Sequence, residues 1–155
     1  HLPDKVQVVI VGDGPLRTKL QDLVVELGLK DKVVLPGRLA DDELQSLMAH
    51  CSVFCLPSID RTEAFGLVLL EAMYYARPLV STRVRGSGMQ LVNEHGVTGL
   101  CVDSGDESSL AGALDFLLHN PNLAQSMGRV GKKKVETEFH ITRLVQDLTR
   151  LYASL

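Results

Sequence analysis

The sequence predicts an α/β fold, a doubly wound parallel sheet with helices on its faces. Five short apolar runs rich in β-branched residues alternate along the chain with longer segments of helical periodicity. The first run, residues 6–11, is apolar almost throughout, as expected for a strand that is covered on both faces. Alternating strands and helices favour parallel pairing through right-handed crossovers.

The first half of the chain holds two strands, each followed by a helix. Strand 6–11 ends at the turn Gly12–Pro15, whose proline suits the first turn of a helix. That helix carries leucines at helical spacing, and Gly28 is a plausible C-cap. After a strand at 32–37, a second helix runs over residues 40–51 and is expected to be capped by Asp41 or Asp42.

The second half continues the alternation and places a cleft. The remaining elements are a strand at 52–57, a helix from about Gly66 to Ala76, strands at 78–82 and 98–103, and closing helices at 107–119, 121–138 and 140–153. In a doubly wound sheet, ligands bind beyond the carboxyl ends of the strands. The turns at 12–15, 57–66 and 83–88 should meet there. We therefore predict one Rossmann-like domain over residues 1–155 with a single ligand cleft.

The composition fits a soluble domain and excludes some function classes. A chain of 155 residues can bury a sizeable core. A net charge of −3 does not support nucleic-acid binding. The sequence shows neither an apolar run long enough to span a bilayer nor a signal peptide, so we expect a cytoplasmic protein. Because the chain opens directly in a strand-like run, we expect its start to lie inside a longer protein.

Three cysteines, Cys51, Cys55 and Cys101, lie in or beside apolar stretches. An odd number of cysteines in such positions indicates reduced core thiols. Their spacing is not that of a zinc site, and no histidine cluster completes one. We predict that the protein binds no metal through them.

The stretch "RTEAFGLVLLEAM", residues 61–73, places two acids around and inside an apolar helix. A buried glutamate costs free energy unless it is paired, and the neighbours of Glu71 leave almost no polar face. A functional role is therefore one interpretation of both acids. Two alternatives stay open: Glu63 could simply favour the helix dipole, and Glu71 could be an exposed position on an amphipathic helix.

The helix start and the two acids would each suit a particular group of a ligand. A helix starting near Gly66 would offer main-chain N–H groups and a positive dipole end to a diphosphate. Glu71 would lie about 7 Å further along the axis, at about 1.5 Å per residue. A carboxylate there suits the two donor hydroxyls of a ribose. Glu63, before the helix, would meet a second hydroxyl-rich group on the other side of the phosphates. A diol, a diphosphate and a second polyol in a row are the groups of a nucleotide sugar.

Residues 63–73, with two glutamates separated by seven residues, resemble the signature of the retaining GT-B glycosyltransferases of family GT4. Other segments agree in order along the chain: "VVIVGDGPLRTKL", "VVLPGRL", "SVFCLPS", "ARPLVST" and "GVTGLCVDSGDESSLAGAL". The resemblance covers nearly the whole chain. It implies one half of a GT-B fold, the half that binds the nucleotide-sugar donor.

The resemblance also implies roles for individual residues. Glu63 would lie near the transferred sugar and hold its hydroxyls, which makes it the candidate catalytic residue. Glu71 would bind the ribose of the donor. The other implied donor-binding residues are Phe65, Gly66 and Leu67 at the sugar and diphosphate, Gly12 and Gly14 in the first loop, and Arg38 and Leu39 near the base.

The chain departs from the family pattern in two places. Ala76 stands where the family usually has a glycine before the proline of the fourth strand. The segment "RGSGMQLVNEHG", residues 85–96, replaces a pattern of two glycines, a proline and an acid. We expect Gly86–Gly88 to form a turn whose N–H groups donate to an anion, with Arg83 and Arg85 as candidate phosphate partners.

In the family, an upstream strand and helix contribute an arginine and a lysine to the diphosphate, and an N-terminal domain binds the acceptor. Neither has a counterpart after His1, so the resemblance implies a donor domain truncated at its N-terminal edge. This fragment alone should be inactive. The whole enzyme would use a UDP- or GDP-hexose without a metal cofactor. Its acceptor would be a glycan or a lipid-linked sugar, as in polysaccharide biosynthesis, with peripheral membrane association.

Two other functions stay open from the sequence. One is a nucleotide-sugar epimerase of the same architecture. The other is a non-catalytic nucleotide-sugar-binding module. A dehydrogenase is disfavoured because "GDGPLR" lacks the GxGxxG pattern of a dinucleotide site.

Overall fold

A computed structural model describes residues 6–140 together with residues 143, 145, 149, 150 and 152. The chain divides into two compact units, His1–Leu47 and Met48–Leu155. Both units contain parallel strands flanked by helices, which confirms the predicted α/β class. That residues 1–155 act as one donor-binding domain stays a prediction.

The first unit is a strand–helix–strand arrangement. Its elements are β1 (Val8–Val11), α1 (Arg17–Glu26), β2 (Val33–Gly37) and the beginning of α2 (Asp41–His50). The two strands pair in parallel, with Val8 opposite Val33. Helix α2 begins at Asp41 itself, so Asp41 and Asp42 lie in its first turn instead of capping it. The Glu43 carboxylate accepts a hydrogen bond of 2.9 Å from the N–H of Ala40, just before the helix.

The end of α1 confirms the predicted role of Gly28. Gly28 has φ +65°, a left-handed conformation that favours glycine. Its N–H donates to the carbonyl of Val25, and the N–H of Leu29 donates to the carbonyl of Val24. This pair of bonds is the Schellman motif, which satisfies the last carbonyls of a helix.

The second unit is a three-stranded parallel sheet with helices on both faces. Its elements are β3 (Phe54–Leu56), α3 (Leu67–Tyr74), β4 (Leu79–Arg83), α4 (Met89–Val92), β5 (Gly99–Asp103), α5 (Glu107–His119) and α6 (Pro121–Glu138). The strand order is β3-β4-β5. Cys55, Val80 and Leu100 are aligned across the three strands.

Two apolar clusters pack in this unit, and the neighbouring residues Leu79 and Val80 of β4 belong to different ones. The first is Leu69, Ala72, Met73, Leu79, Val84, Met89 and Val92. The second is Val80, Val102, Ala113, Leu117, Ala124 and Met127. Burial on both faces of β4 explains why the parallel strands are continuous apolar runs.

The structure differs from the sequence prediction in two respects. Four of the five described strands are shorter than predicted, and the strands form two hydrogen-bonded sheets, one in each unit, instead of one. The predicted helix at 140–153 lies mainly outside the described residues. None of the helices in the described ranges combines the length and the apolar composition that crossing a bilayer requires.

Candidate functional site

The candidate site is built around the first turn of α3. The Glu63 side chain folds back toward the helix, and its Oε1 accepts a hydrogen bond of 2.8 Å from the N–H of Gly66. Gly66 is the residue before the helix, and its carbonyl accepts from the N–H of Leu69 at 2.8 Å. Glu63 therefore stabilises the amino end of α3, as in the alternative in which it favours the helix dipole. Its carboxylate also lies beside the candidate ligand site.

Gly66 is required at this position by conformation and by space. Its φ is +80°, which side chains rarely adopt. A Cβ there would lie 2.8 Å from Cδ1 of Leu69 and 3.1 Å from Cγ of Met89. The glycine therefore allows the loop to enter the helix while packing closely on the core beneath it.

The first turn of α3 retains main-chain donors. Among the described residues, none accepts a hydrogen bond from the N–H of Leu67 or Val68. The Leu67 side chain is 66% exposed. These two N–H groups at the positive end of the helix dipole are therefore available to an anion, next to the Glu63 carboxylate that is bonded to Gly66.

Glu71 is exposed, which corrects the argument that a buried acid at this position needs a function. It shares one face of α3 with Leu67 and with Tyr74, which is 57% exposed. The opposite face, with Ala72 and Met73, is completely buried. Although nearly every neighbour of Glu71 is apolar, the helix has a solvent face, and Glu71 lies at its centre.

In the 83–88 loop, two of the three N–H groups of the expected anion-binding turn, Gly86–Gly88, are bonded within the chain, and an anion-binding role for the turn stays a prediction. Those of Ser87 and Gly88 donate to the carbonyls of Val84 and Ala64, at 3.1 and 2.7 Å. That of Met89 donates to the Ser87 hydroxyl at 3.2 Å.

The candidate phosphate-binding arginines of this loop are both exposed. Arg83 pairs with Asp103 at 3.3 Å. That pair leaves Arg83 only partly available to a phosphate, and a phosphate role for Arg85 stays a prediction.

Three hydroxyl groups hold the loop that leads into α3, a feature that the sequence analysis missed. Thr82, Ser104 and Ser87 donate to the carbonyls of three loop residues. The acceptors are Ser58, Ile59 and Glu63 respectively. The sequence did contain a signal for these bonds, because Thr82 and Ser104 lie at the carboxyl ends of β4 and β5, where the loops of a parallel sheet meet.

The predicted site residues of the first unit lie at the ends of its strands. Gly12 has φ +126°, and its N–H donates to the carbonyl of Gly37 at 2.9 Å. Gly12 and Gly14 both face open space. Arg38 is exposed, whereas Leu39 is half-buried. The donor-binding roles of these residues stay predictions.

The cysteines are thiols shielded by the fold. All three are free, and Cys101 is buried. Burial raises the pKa of each thiol, that of Cys55 to about 11. The described ranges bring no three His, Cys, Asp or Glu side chains together in a group that could hold a metal ion.

Comparison with known proteins identifies the family. A family model described as "Glycosyl transferases group 1" matches residues 2–134. O-antigen chain mannosyltransferase C of Escherichia coli is 32% identical over 151 residues, covering 97% of this chain and 40% of that protein. A D-rhamnosyltransferase of Pseudomonas aeruginosa is 38% identical over 122 residues, covering 79% of this chain and 32% of that protein.

Solved structures agree with the fold. The crystal structure of Anabaena HepE in complex with UDP matches this chain with a TM-score of 0.88 and 25% identity, over 99% of this chain and 42% of that one. The chain thus spans less than half the length of these relatives, as one half of a GT-B fold should. From its match to the family model and to these relatives, the chain belongs to the glycosyl transferases of group 1.

Proposed function

We propose that this chain is the donor-binding part of a retaining glycosyltransferase of the GT4 type. The full-length protein would transfer a hexosyl group from a nucleoside-diphosphate sugar to a hydroxyl of a glycan or of a lipid-linked acceptor. The acceptor would be bound by a part of the protein outside this chain. The reaction would take place in the cytoplasm, with the protein peripherally associated with a membrane.

One observation carries the proposal: the solvent face of α3 offers an open helix end and an acid at a spacing that suits a nucleotide. A diphosphate would accept hydrogen bonds from the N–H groups of Leu67 and Val68. Glu71 lies four residues beyond Leu67, about 6 Å along the axis at about 1.5 Å per residue. That spacing supports a contact between its carboxylate and the ribose of a nucleotide whose phosphates lie at the helix end.

Glu63 supports the transferred sugar in this proposal. Its Oε1 is bonded to the N–H of Gly66, and a carboxylate oxygen that is not so used can accept from a sugar hydroxyl. As the bond to the sugar breaks, negative charge grows on the leaving diphosphate. The amino end of α3 would stabilise that charge more strongly in the transition state than in the ground state.

The donor base is proposed to be uracil or guanine. Support for uracil is that the Anabaena structure, which matches this chain along 99% of its length, contains UDP. No divalent metal is required in the proposal, because the helix end and cations outside this chain would neutralise the diphosphate.

Calorimetric titration of the full-length protein with UDP, GDP and ADP tests the proposal. The best nucleotide should bind Glu71→Ala about 10- to 100-fold more weakly, since a hydrogen bond to a charged group contributes about 1.5–3 kcal/mol. Glu136→Ala, which removes an exposed acid on α6, is the matched control and should bind like wild type. Equal affinity of wild type and Glu71→Ala would refute the ribose assignment.

A product assay separates the proposed transferase from the two alternatives. Incubation of full-length protein with a labelled nucleotide sugar and a hydroxyl acceptor should yield glycosylated acceptor and free nucleotide. Isomerised sugar nucleotide would instead identify an epimerase. Tight binding without any product, across donors and acceptors, would identify a non-catalytic module.

A further inference from the structure

The hydroxyl of Ser87 is bonded on both sides in the candidate site. It donates to the carbonyl of Glu63 at 2.6 Å and accepts from the N–H of Met89 at 3.2 Å. A serine hydroxyl has one proton to donate, so the short bond commits that proton mainly to Glu63. Ser87 therefore links the main chain of Glu63 to the start of α4, across 24 residues of sequence.

A second contact next to Ser87 strengthens this link. The N–H of Gly88 donates to the carbonyl of Ala64 at 2.7 Å. A Cβ at Gly88 would lie 2.7 Å from Cδ2 of Phe65, so the two loops approach at a distance that only glycine allows. The two bonds together hold consecutive residues of the Glu63 loop against the loop of Ser87.

Both the main chain and the side chain of Glu63 are consequently held by hydrogen bonds. Its carbonyl is bonded to Ser87, and its carboxylate Oε1 is bonded to the N–H of Gly66 at 2.8 Å. Resting on the proposed function, we propose that Ser87 is a positioning residue, which fixes the loop so that the Glu63 carboxylate meets the transferred sugar. Ser87 would not contact the nucleotide, whose ribose is assigned to Glu71.

The same loop provides a matched control. Ser104 also donates its hydroxyl to a loop carbonyl, that of Ile59, at 3.2 Å. Its acceptor lies four residues before Glu63 and does not belong to the cap of α3. Removing either hydroxyl deletes one loop bond, but only removal of the Ser87 hydroxyl deletes a bond to Glu63.

The first test compares steady-state kinetics of the full-length protein. In Ser87→Ala, kcat should fall about ten-fold. This loss is smaller than the loss of about 100-fold that a misplacement of about 1 Å can cause. The Kd for the nucleotide alone should stay within about two-fold, because Glu71 and the N–H groups of Leu67 and Val68 make no bond to Ser87 or Glu63. Ser87→Thr, which keeps a hydroxyl, should regain most of the rate, and Ser104→Ala should behave like wild type.

A double-mutant cycle with Glu63→Gln tests whether Ser87 acts through Glu63. If it does, Ser87→Ala should lower kcat in the wild-type background and cause little further loss in Glu63→Gln. Equal losses in both backgrounds would overturn the proposal. So would a fall in nucleotide affinity as large as the fall in kcat, or an equal effect of Ser104→Ala.

Amide hydrogen exchange gives a readout that does not depend on activity. In full-length Ser87→Ala, the peptide containing residues 63–66 should exchange faster than in wild type, whereas Ser104→Ala should leave it unchanged. Unchanged exchange in Ser87→Ala would overturn the positioning role even for an active enzyme. A protein without transferase activity but with faster exchange would refute the proposed function and leave the link between Ser87 and Glu63 established.

Discussion

Gly128 of α6 packs directly against the carbonyl oxygen of Ala76, in the turn that ends α3. A Cβ at Gly128 would lie 2.0 Å from that oxygen, a distance at which the backbone would have to move. Helix α6 therefore approaches the end of α3 only because residue 128 has no side chain. This contact therefore fixes the carboxyl end of α3, the helix that carries Glu71.

Gly128→Ala should lower the stability of the protein by about 1–3 kcal/mol, the usual cost of overpacking a core. Gly112→Ala is the matched control, since Gly112 is helical in α5 and its Cβ would meet nothing within 4 Å. That change should raise stability by about 0.5–1 kcal/mol through helix propensity. Chemical denaturation measures both, and the same sign for the two variants would contradict the packing argument.

Ala76→Gly should stabilise the protein. Ala76 has φ +55° and closes α3 with the same pair of hydrogen bonds that Gly28 makes at the end of α1. The left-handed conformation costs a non-glycine residue about 1–2 kcal/mol, so relief should exceed the entropic cost of glycine by about 0.5–1 kcal/mol. Gly28→Ala, the reverse change at the equivalent position, should be destabilising. A lower melting temperature for Ala76→Gly would show that residue 76 is not strained.

Gly66→Ala should destabilise the site more than the backbone angle alone explains. Gly66 and Gly105 both have φ +80°, but a Cβ at Gly105 would meet nothing within 4 Å. Gly105→Ala should cost about 1 kcal/mol from the angle, and Gly66→Ala about 1–3 kcal/mol more from crowding against Leu69. Denaturation curves of the two variants report the difference, which would vanish if the loop could relax.

The two roles of Glu63, stabilising the start of α3 and acting on the sugar, can be measured separately. Glu63→Ala removes the acceptor for the N–H of Gly66 and should cost about 1 kcal/mol of stability. Glu63→Gln keeps an acceptor oxygen, so its stability should stay near wild type while its transfer rate falls. Melting temperatures and transfer rates of both variants measure the two roles. Transfer by Glu63→Gln at the wild-type rate would show that the charge is not used.

The thiol of Cys55 should resist alkylation in the folded protein. With a pKa of about 11, only about one thiolate in a thousand is present at pH 8, and the thiolate is the reactive form. In urea the pKa should return to about 8.5, so labelling by iodoacetamide should become much faster. Peptide mapping by mass spectrometry follows this residue specifically. Equal labelling rates in folded and unfolded protein would contradict the predicted shielding.

The sequence predicted elements whose signals are local. Helices α5 and α6 occupy the predicted residues, 107–119 and 121–138. The Asp106 side chain caps α5 by accepting from the N–H of Ser109, and α6 begins with a proline. Each of these signals acts within one turn of its own helix, so it can be recognised without the rest of the fold.

The sequence by itself determined the strand–helix alternation, the C-cap glycine at Gly28 and the two-glutamate motif that gave the resemblance to the family. The tertiary structure alone decided that Glu71 is exposed, because packing, and not residue type, selects which face of an apolar helix is covered. It alone decided that Ser87 holds Glu63, since that bond joins segments 24 residues apart. Local signals depend on neighbours in sequence, whereas burial and loop contacts depend on which distant segments the folded chain brings together.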